Sequence, residues 1–121
     1  MTLIDSTDEE DELKIKYQAQ CINSTGCIHY GTRSYTAVIR CYDEGIQLLT
    51  AINSPMKYVV YAYIKHNKGN ALTNQAIRDV DGAIACYEEA KLAFSKAEDI
   101  SEDERKSWME RCSRIIARLR E

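Results

Sequence analysis

Few residues of this chain combine the types and spacing that metal binding or acid–base catalysis requires. Cys21, Cys27 and His29 form the densest group of potential metal ligands. The two cysteines are six residues apart, wider than the roughly two to four residues of a zinc pair, and no second ligand pair follows, so we expect no metal site and no cofactor. His66 has the chemistry of a general base, but no recognisable motif places a nucleophile beside it. We therefore predict no catalytic residues and a protein that is not an enzyme.

Composition and charge restrict the class of protein further. The chain has 121 residues, one proline and five glycines, which favours one domain built from long helices. A formal net charge of -3 argues against nucleic acid as the partner, because binding to phosphates needs a basic surface. Without an apolar run of 18 residues, a signal peptide or a C-x-x-C pair, we expect no membrane partner, reduced thiols buried as small apolar groups, and a cytoplasmic location.

Hydrophobic spacing predicts an all-α fold. Residues 1–7 are expected to be a flexible acidic N-terminus, and residues 8–121 a single helical domain. The first helix is predicted from about Asp8 to Tyr30 by a stripe of helical period, and a Ser101-to-Glu104 capping box predicts the start of the last. The stripe consists of Leu13, Tyr17, Cys21, Ser24 and Ile28. The predicted units are a helical hairpin over about 8–53, a second over about 56–97, and a capping helix over about 102–120.

The chain contains an internal repeat. Residues 38–49 align without a gap with residues 83–94 at an offset of 45. Ile, Cys, Tyr and Glu coincide at 39/84, 41/86, 42/87 and 44/89, and each copy follows a helix with an internal glycine, Gly26 or Gly69. Because one helical hairpin cannot bury its apolar face alone, the repeat predicts two stacked antiparallel hairpins and a fifth helix that covers the end.

These positions resemble the tetratricopeptide repeat (TPR) family, whose repeat has a glycine in its first helix and a small, an aromatic and a small residue in its second. The first copy matches with Gly26, Val38, Tyr42 and Gly45, and the second with Gly69, Ala83, Tyr87 and Ala90. The consensus tryptophan and leucine of the first helix are absent from both copies, and the second copy has about two extra loop residues.

The resemblance implies a non-enzymatic interaction module, an adaptor or a partner-specific chaperone, that binds a peptide or protein segment on a concave groove. The groove would be formed by the first helix of each hairpin, and asparagines there would supply hydrogen-bond donors and acceptors. The predicted groove residues are Asn23, Cys27, Tyr30, Tyr63, His66, Asn67, Asn70 and Asn74. Ordinary solvated polar residues would give the same pattern.

Some TPR proteins bind a chaperone's C-terminal carboxylate through a clamp of lysine, asparagine and arginine side chains. Asn67 matches one clamp asparagine, and Lys106 matches a clamp lysine if the fifth helix continues the stack. Asn23, Cys27 and Glu110 stand where lysine, asparagine and arginine are expected, which disfavours this partner.

Two further surfaces remain open. The fifth helix has a basic side that suits an acidic partner but equally a solvated face, formed by Lys106, Arg111, Arg114 and Arg118. The alternative function is a self-associating regulatory or structural helical bundle, a homodimer with Tyr58, Tyr61 and Tyr63 at its interface.

Overall fold

The computed structural model describes residues 2–76 and 78–121, with side chains from residue 9 onward. Within these ranges the chain is all-helical and no strand is present, which confirms the predicted all-α class. The helices are α1 (Thr2–Gly31), α2 (Tyr35–Leu49), α3 (Lys57–Asn74), α4 (Val80–Lys96) and α5 (Glu102–Leu119).

Helix α1 begins at Thr2, earlier than the predicted start near Asp8. Helical backbone therefore covers residues 2–7 of the segment predicted to be flexible, since none of the residues there is a proline or glycine that would interrupt it. Met1 and the side chains of residues 2–8 lie outside the described part of the chain. At its other end α1 stops at Gly31, and the turn is made by Arg33, which adopts the left-handed φ of 61°.

Side-chain caps fix the starts of the last two helices. The Ser101 hydroxyl accepts a hydrogen bond from the backbone N–H of Glu104 at 3.1 Å, as the capping box predicts. The Asp79 carboxylate accepts one from Gly82 N–H at 2.8 Å at the start of α4. Each bond satisfies a backbone donor that the first turn of a helix leaves without a partner.

Every helix packs against the next one in the chain, and α1 also packs against α3. The largest fully buried side chains include Tyr42 of α2 and both Tyr87 and Phe94 of α4. Gly45, one of the predicted small positions, is buried, and a Cβ placed on it would lie 3.0 Å from Cδ1 of Ile64. The missing side chain therefore lets α2 approach α3 closely.

The two tyrosines of the sequence repeat pack in the same way. A Cβ on Gly26 would lie 2.5 Å from Cε1 of Tyr42, and one on Gly69 would lie 2.7 Å from Cζ of Tyr87. Cβ atoms do not approach other heavy atoms this closely without something moving. Each ring therefore occupies space that the matching glycine leaves open.

Candidate functional site

Helices α1 and α3 lie side by side and present a line of polar side chains, which we call the polar strip. It consists of Asn23, Cys27, Tyr30, Asn67, Asn70 and Asn74. In its N-terminal half the Asn67 side-chain N–H donates to Oδ1 of Asn23 at 3.0 Å, and Nδ2 of Asn67 lies 3.7 Å from the sulfur of Cys27. Asn67 thus connects α3 to two turns of α1.

The C-terminal half of the polar strip is connected by Asn74. Its side-chain N–H donates to the hydroxyl of Tyr30 at 2.7 Å and to the backbone carbonyl of Asn70 at 2.8 Å. Tyr30 in turn packs edge-on against Tyr35, with 5.5 Å between ring centroids. The strip is therefore a hydrogen-bonded ladder between two helices, in which each rung is an amide side chain.

The buried tyrosines of α2 and α4 reach the strip from beneath. The hydroxyl of Tyr42 lies 3.6 Å from the sulfur of Cys27, and the hydroxyl of Tyr87 donates to Oδ1 of Asn70 at 2.5 Å. Cys27 and Asn70 each directly follow the glycine under which the ring packs. The two copies therefore place a tyrosine hydroxyl at equivalent points of the strip.

Burial keeps these phenols protonated. Removal from solvent raises the pKa of Tyr87 to about 12, and the same effect raises the pKa of Tyr42 above the ordinary phenol value, with help from the neighbouring thiol of Cys27. Because the charged form is disfavoured by burial, each hydroxyl acts as a neutral hydrogen-bond donor or acceptor at the floor of the strip.

A small cavity of about 90 Å³ lies within the strip. Cys27, Tyr30, Tyr42, Asn67 and Asn70 line it. Sites that enclose a small molecule usually have volumes of about 300 Å³ or more. This cavity is therefore too small to enclose a molecule of that size.

Two of the eight predicted groove residues, His66 and Tyr63, pack against α5 rather than joining the polar strip. The His66 side chain is 7% exposed and packs edge-on between the rings of Tyr87 and Trp108, at 5.5 and 5.1 Å. Tyr63 packs edge-on against Phe94 and Trp108. The His66 side chain is buried because α5 places Trp108 over this part of α3, so the prediction that His66 lines an open groove is corrected, whereas Tyr63 remains partly exposed beside Trp108.

His66 is held in its neutral form by its surroundings. Burial lowers the pKa of His66 below its ordinary value of 6.5, nearby Arg111 lowers it further, and the Asn67 side chain opposes the shift. Nε2 of His66 has no hydrogen-bond partner among the described residues. A charged imidazole at this position would be desolvated and beside a cation, which is unfavourable.

We expect the free energy of unfolding of the wild type to fall as the pH drops below about 6.5. In this range His66 binds a proton in the unfolded chain, but its lowered pKa keeps it neutral in the folded protein. The loss should end at the folded pKa and should not exceed about 1.4 kcal/mol per pH unit. Urea unfolding at about pH 7.5 and 5.5 should show a smaller loss for His66→Phe, which keeps a ring but binds no proton. His29 is present in both proteins, so equal pH profiles would contradict this account.

The predicted basic residues of α5 are spread over a wide arc of the helix and alternate with carboxylates. Spacings of three and four place Arg111, Arg114 and Arg118 on one face, whereas Lys106 lies about 140° away from Arg111 around the helix. Lys106 and Arg114 line a shallow cleft that also contains Glu102 and Glu110. The guanidinium of Arg111 stacks 4.9 Å from the centroid of the Trp108 ring. Carboxylates within the cleft weaken the positive field there.

The thiols differ from the sequence prediction in their exposure. All five cysteines are free, but Cys21 and Cys27 are exposed and only Cys86 and Cys112 are fully buried. The described residues contain no group of three or more His, Cys, Asp or Glu side chains arranged to hold a metal ion. No helix in the described ranges is long and apolar enough to cross a membrane.

No family model matches this chain, and neither a curated protein nor a solved structure matches it. The geometry of its own residues therefore carries the functional interpretation.

The sequence did not predict that the two buried tyrosines would contact the polar strip. The repeat identified Tyr42 and Tyr87 as packing residues, but not that their hydroxyls would reach Cys27 and Asn70. Alignment of the two copies offered the clue, because both tyrosines and both residues after the glycines occupy equivalent positions. It also missed that Leu13, Tyr17 and Ile28 would remain exposed.

Proposed function

We propose that this protein is a non-enzymatic, TPR-like interaction module that binds an extended segment of a partner protein along the polar strip. The observation that carries the proposal is the hydrogen-bonded run of asparagines between α1 and α3, which begins with the 3.0 Å bond from Asn67 to Asn23. Such a module would work as an adaptor or as a chaperone for one partner. Its five free thiols support a reducing compartment such as the cytoplasm.

The repeated contacts support the TPR-like architecture. In this arrangement α1 and α2 form the first hairpin, α3 and α4 form the second, and α5 covers the end of the stack. Contacts of α1 with α3 and of α2 with α3 agree with stacked hairpins. The matched pairs Gly26–Tyr42 and Gly69–Tyr87 support the same register of first helix on second helix in both copies.

Amide side chains suit a peptide backbone as the ligand. An asparagine offers two donor hydrogens and an acceptor oxygen, so one side chain can bond both a carbonyl and an N–H of an extended chain. The bond to Asn67 uses Oδ1 of Asn23, and no described hydrogen bond uses Nδ2 of Asn23. Backbone recognition through such groups gives affinity, while neighbouring small cavities select side chains.

A carboxylate-terminated chaperone tail is not the partner we propose. None of the six residues of the polar strip is a cation, and Asn23 and Cys27 occupy clamp positions where lysine and asparagine would be needed. Lys106 is exposed on α5, with Glu110 beside it on the same cleft. An uncharged strip favours a partner segment that is recognised through its backbone.

Replacing Asn67 and Asn74 together by alanine should weaken partner binding by about 5- to 150-fold, since each lost hydrogen bond contributes about 0.5–1.5 kcal/mol. Asn74 is preferred to Asn70 because removal of Asn70 would leave the buried Tyr87 hydroxyl without its acceptor. The measurement is recovery of the bound protein from a lysate of the source cells, by quantitative mass spectrometry on immobilised wild type and variant.

Asn53→Ala is the matched control, because Asn53 is an exposed asparagine outside the strip whose backbone N–H, not its side chain, bonds Glu12. This variant should retain the partner, and circular dichroism should show that all three proteins remain folded. Equal recovery on wild type and on the double variant would place the binding surface elsewhere and reject the proposal.

The predicted alternative, a dimer that buries three tyrosines of α3, gains no support from their positions. Tyr63 packs on Phe94 and Trp108, and Tyr61 donates its hydroxyl to Glu89 of α4 at 3.1 Å. Tyr58 packs against the core between the ammonium groups of Lys57 and Lys96, at 5.5 and 5.4 Å from its ring centroid. All three tyrosines therefore already have partners within the chain.

A further inference from the structure

The outward face of α1 carries an apolar stripe that no other helix covers. Its members follow one another at spacings of four, four, three and four residues, which keeps them on one side of a helix. They are Leu13, Tyr17, Cys21, Ser24 and Ile28. Leu13, Tyr17 and Ile28 are 40%, 55% and 70% exposed, and they are three of the four exposed large hydrophobic residues in the described part of the chain. We call this surface the outer stripe.

The outer stripe is not the face by which α1 joins the fold. The inward face is formed by Ile15, Ala19, Ile22 and Gly26, which lie about half a turn around the helix from the stripe. A single exposed leucine needs no explanation. A row of mainly apolar residues at spacings of three and four is the kind of pattern by which two helices pack along a seam.

We propose that the outer stripe is covered by the α1 of a second copy of this chain, packed antiparallel about a two-fold axis near Cys21. The stripe has nearly the same pattern read in either direction, because Leu13 lies eight residues before Cys21 and Ile28 lies seven residues after it. Antiparallel pairing therefore sets Leu13 of one copy against Ile28 of the other, and Tyr17 against Ser24. A surface that complements itself in this way closes as a dimer.

The charges at the two ends of the stripe select the antiparallel direction. Exposed Glu9, Glu10 and Asp11 make the N-terminal end acidic, because Lys16 is already paired with Asp99 and Lys14 alone remains beside them. Exposed Arg33 lies at the C-terminal end. Antiparallel pairing brings the acidic end of each copy to the basic end of the other, whereas parallel pairing would bring like charges together.

The expected dimer is weak and depends on concentration. Three large apolar side chains per copy make a small interface, in the range below about 1,200 Å² that is typical of transient contacts. The polar strip lies on an adjacent face of α1 and remains open in the dimer. This inference therefore stands independently of the proposed function, and either can fail without the other.

Light scattering coupled to gel filtration tests the dimer over a range of concentrations up to ~1 mM, where even a contact worth only about 4 kcal/mol is half populated. The average mass of the wild type should rise with concentration from 13.8 kDa toward twice that value, and Ile28→Glu should remain at the monomer mass throughout. Leu92→Glu is the matched control, because Leu92 is 57% exposed on α4, outside the stripe, and it should dimerise like the wild type. Circular dichroism should show unchanged folding of both variants, since each replaced side chain is exposed.

A short bismaleimide, which adds to one thiol at each end, tests the position of the axis. Cys27→Ser should give a covalent dimer through Cys21, and Cys21→Ser should not. A wild type that stays monomeric at the highest concentration would overturn the proposal. So would an Ile28→Glu variant that dimerises like the wild type, or a crosslink that needs Cys27 rather than Cys21.

Discussion

Replacement of Phe94 by alanine is expected to lower the free energy of unfolding by about 3–5 kcal/mol, the largest effect of any single substitution considered for this chain. Phe94 is fully buried, stacks on Trp108 of α5 with 5.2 Å between ring centroids, and meets Tyr63 of α3 edge-on at 5.5 Å. Its removal leaves a cavity where three helices meet. Since domains of this size are stable by about 5–15 kcal/mol, urea unfolding should show a large fall in the midpoint.

Leu92→Ala is the control for this experiment. Leu92 is a large apolar residue on the same helix, but its side chain is exposed, so its removal should change the free energy of unfolding by no more than about 0.5 kcal/mol. Comparable losses for the two variants would mean that α4 does not present Phe94 to the core as described.

Gly69→Ala should also destabilise the protein, although alanine is the better helix former by about 1 kcal/mol. The added Cβ would lie 2.7 Å from Cζ of Tyr87 and 2.9 Å from both Cε atoms. The ring cannot move away freely, because it is fully buried and its hydroxyl is bonded to Asn70. We expect overpacking, which costs about 1–3 kcal/mol, to act near the upper end of that range and outweigh the gain in helix propensity.

Gly31→Ala should change stability in the opposite direction. Nothing lies within 4 Å of a Cβ built on Gly31, and its φ is not in the left-handed region. We expect the free energy of unfolding to rise by about 0.4–1 kcal/mol, because alanine restricts the conformations of the unfolded chain more than glycine does. Thermal unfolding of both variants under one set of conditions should therefore show shifts of opposite sign, and a stabilised Gly69→Ala would contradict the close packing of α3 on Tyr87.

Local chemistry made the helices of this chain predictable. Proline, glycine and capping residues act within one or two turns, which is why the start of α5 at the Ser101 cap was predicted correctly. Other boundaries differ from the prediction by a few residues. Helix α2 ends at Leu49, and Asn53, where the first hairpin was predicted to end, instead donates its backbone N–H to the carboxylate of Glu12 on α1.

The orientation of α1 could not be read from its hydrophobic pattern. Both the outer stripe and the inward face contain large apolar residues, and the inward face also contains the small residues Ala19 and Gly26. A helix with apolar residues on opposite sides has no single preferred face. The burial of Ala19 and the close approach of Tyr42 to Gly26 identify the inward face.

The part of the candidate site that is formed by α1 and α3, the first helices of the two copies, could be predicted from the sequence. The strip residues of α1 and α3, such as Asn23 and Asn67, were predicted together and lie together. Tyr63 and His66 were assigned to the same groove because they also belong to α3. The spacing of residues does not show where α5 will place its tryptophan, so the structure was needed to show that Trp108 packs against both side chains and buries His66.

The ladder of the polar strip has a consequence for how quickly an occupant could exchange. Asn67 and Asn74 already donate their amide hydrogens to Asn23 and Tyr30 in the unoccupied protein. A ligand that takes over these donors replaces existing hydrogen bonds rather than adding to them, so each new bond contributes only a modest net free energy of about 0.5–1.5 kcal/mol. Binding and release of the proposed segment would then be rapid, because no single bond holds it strongly.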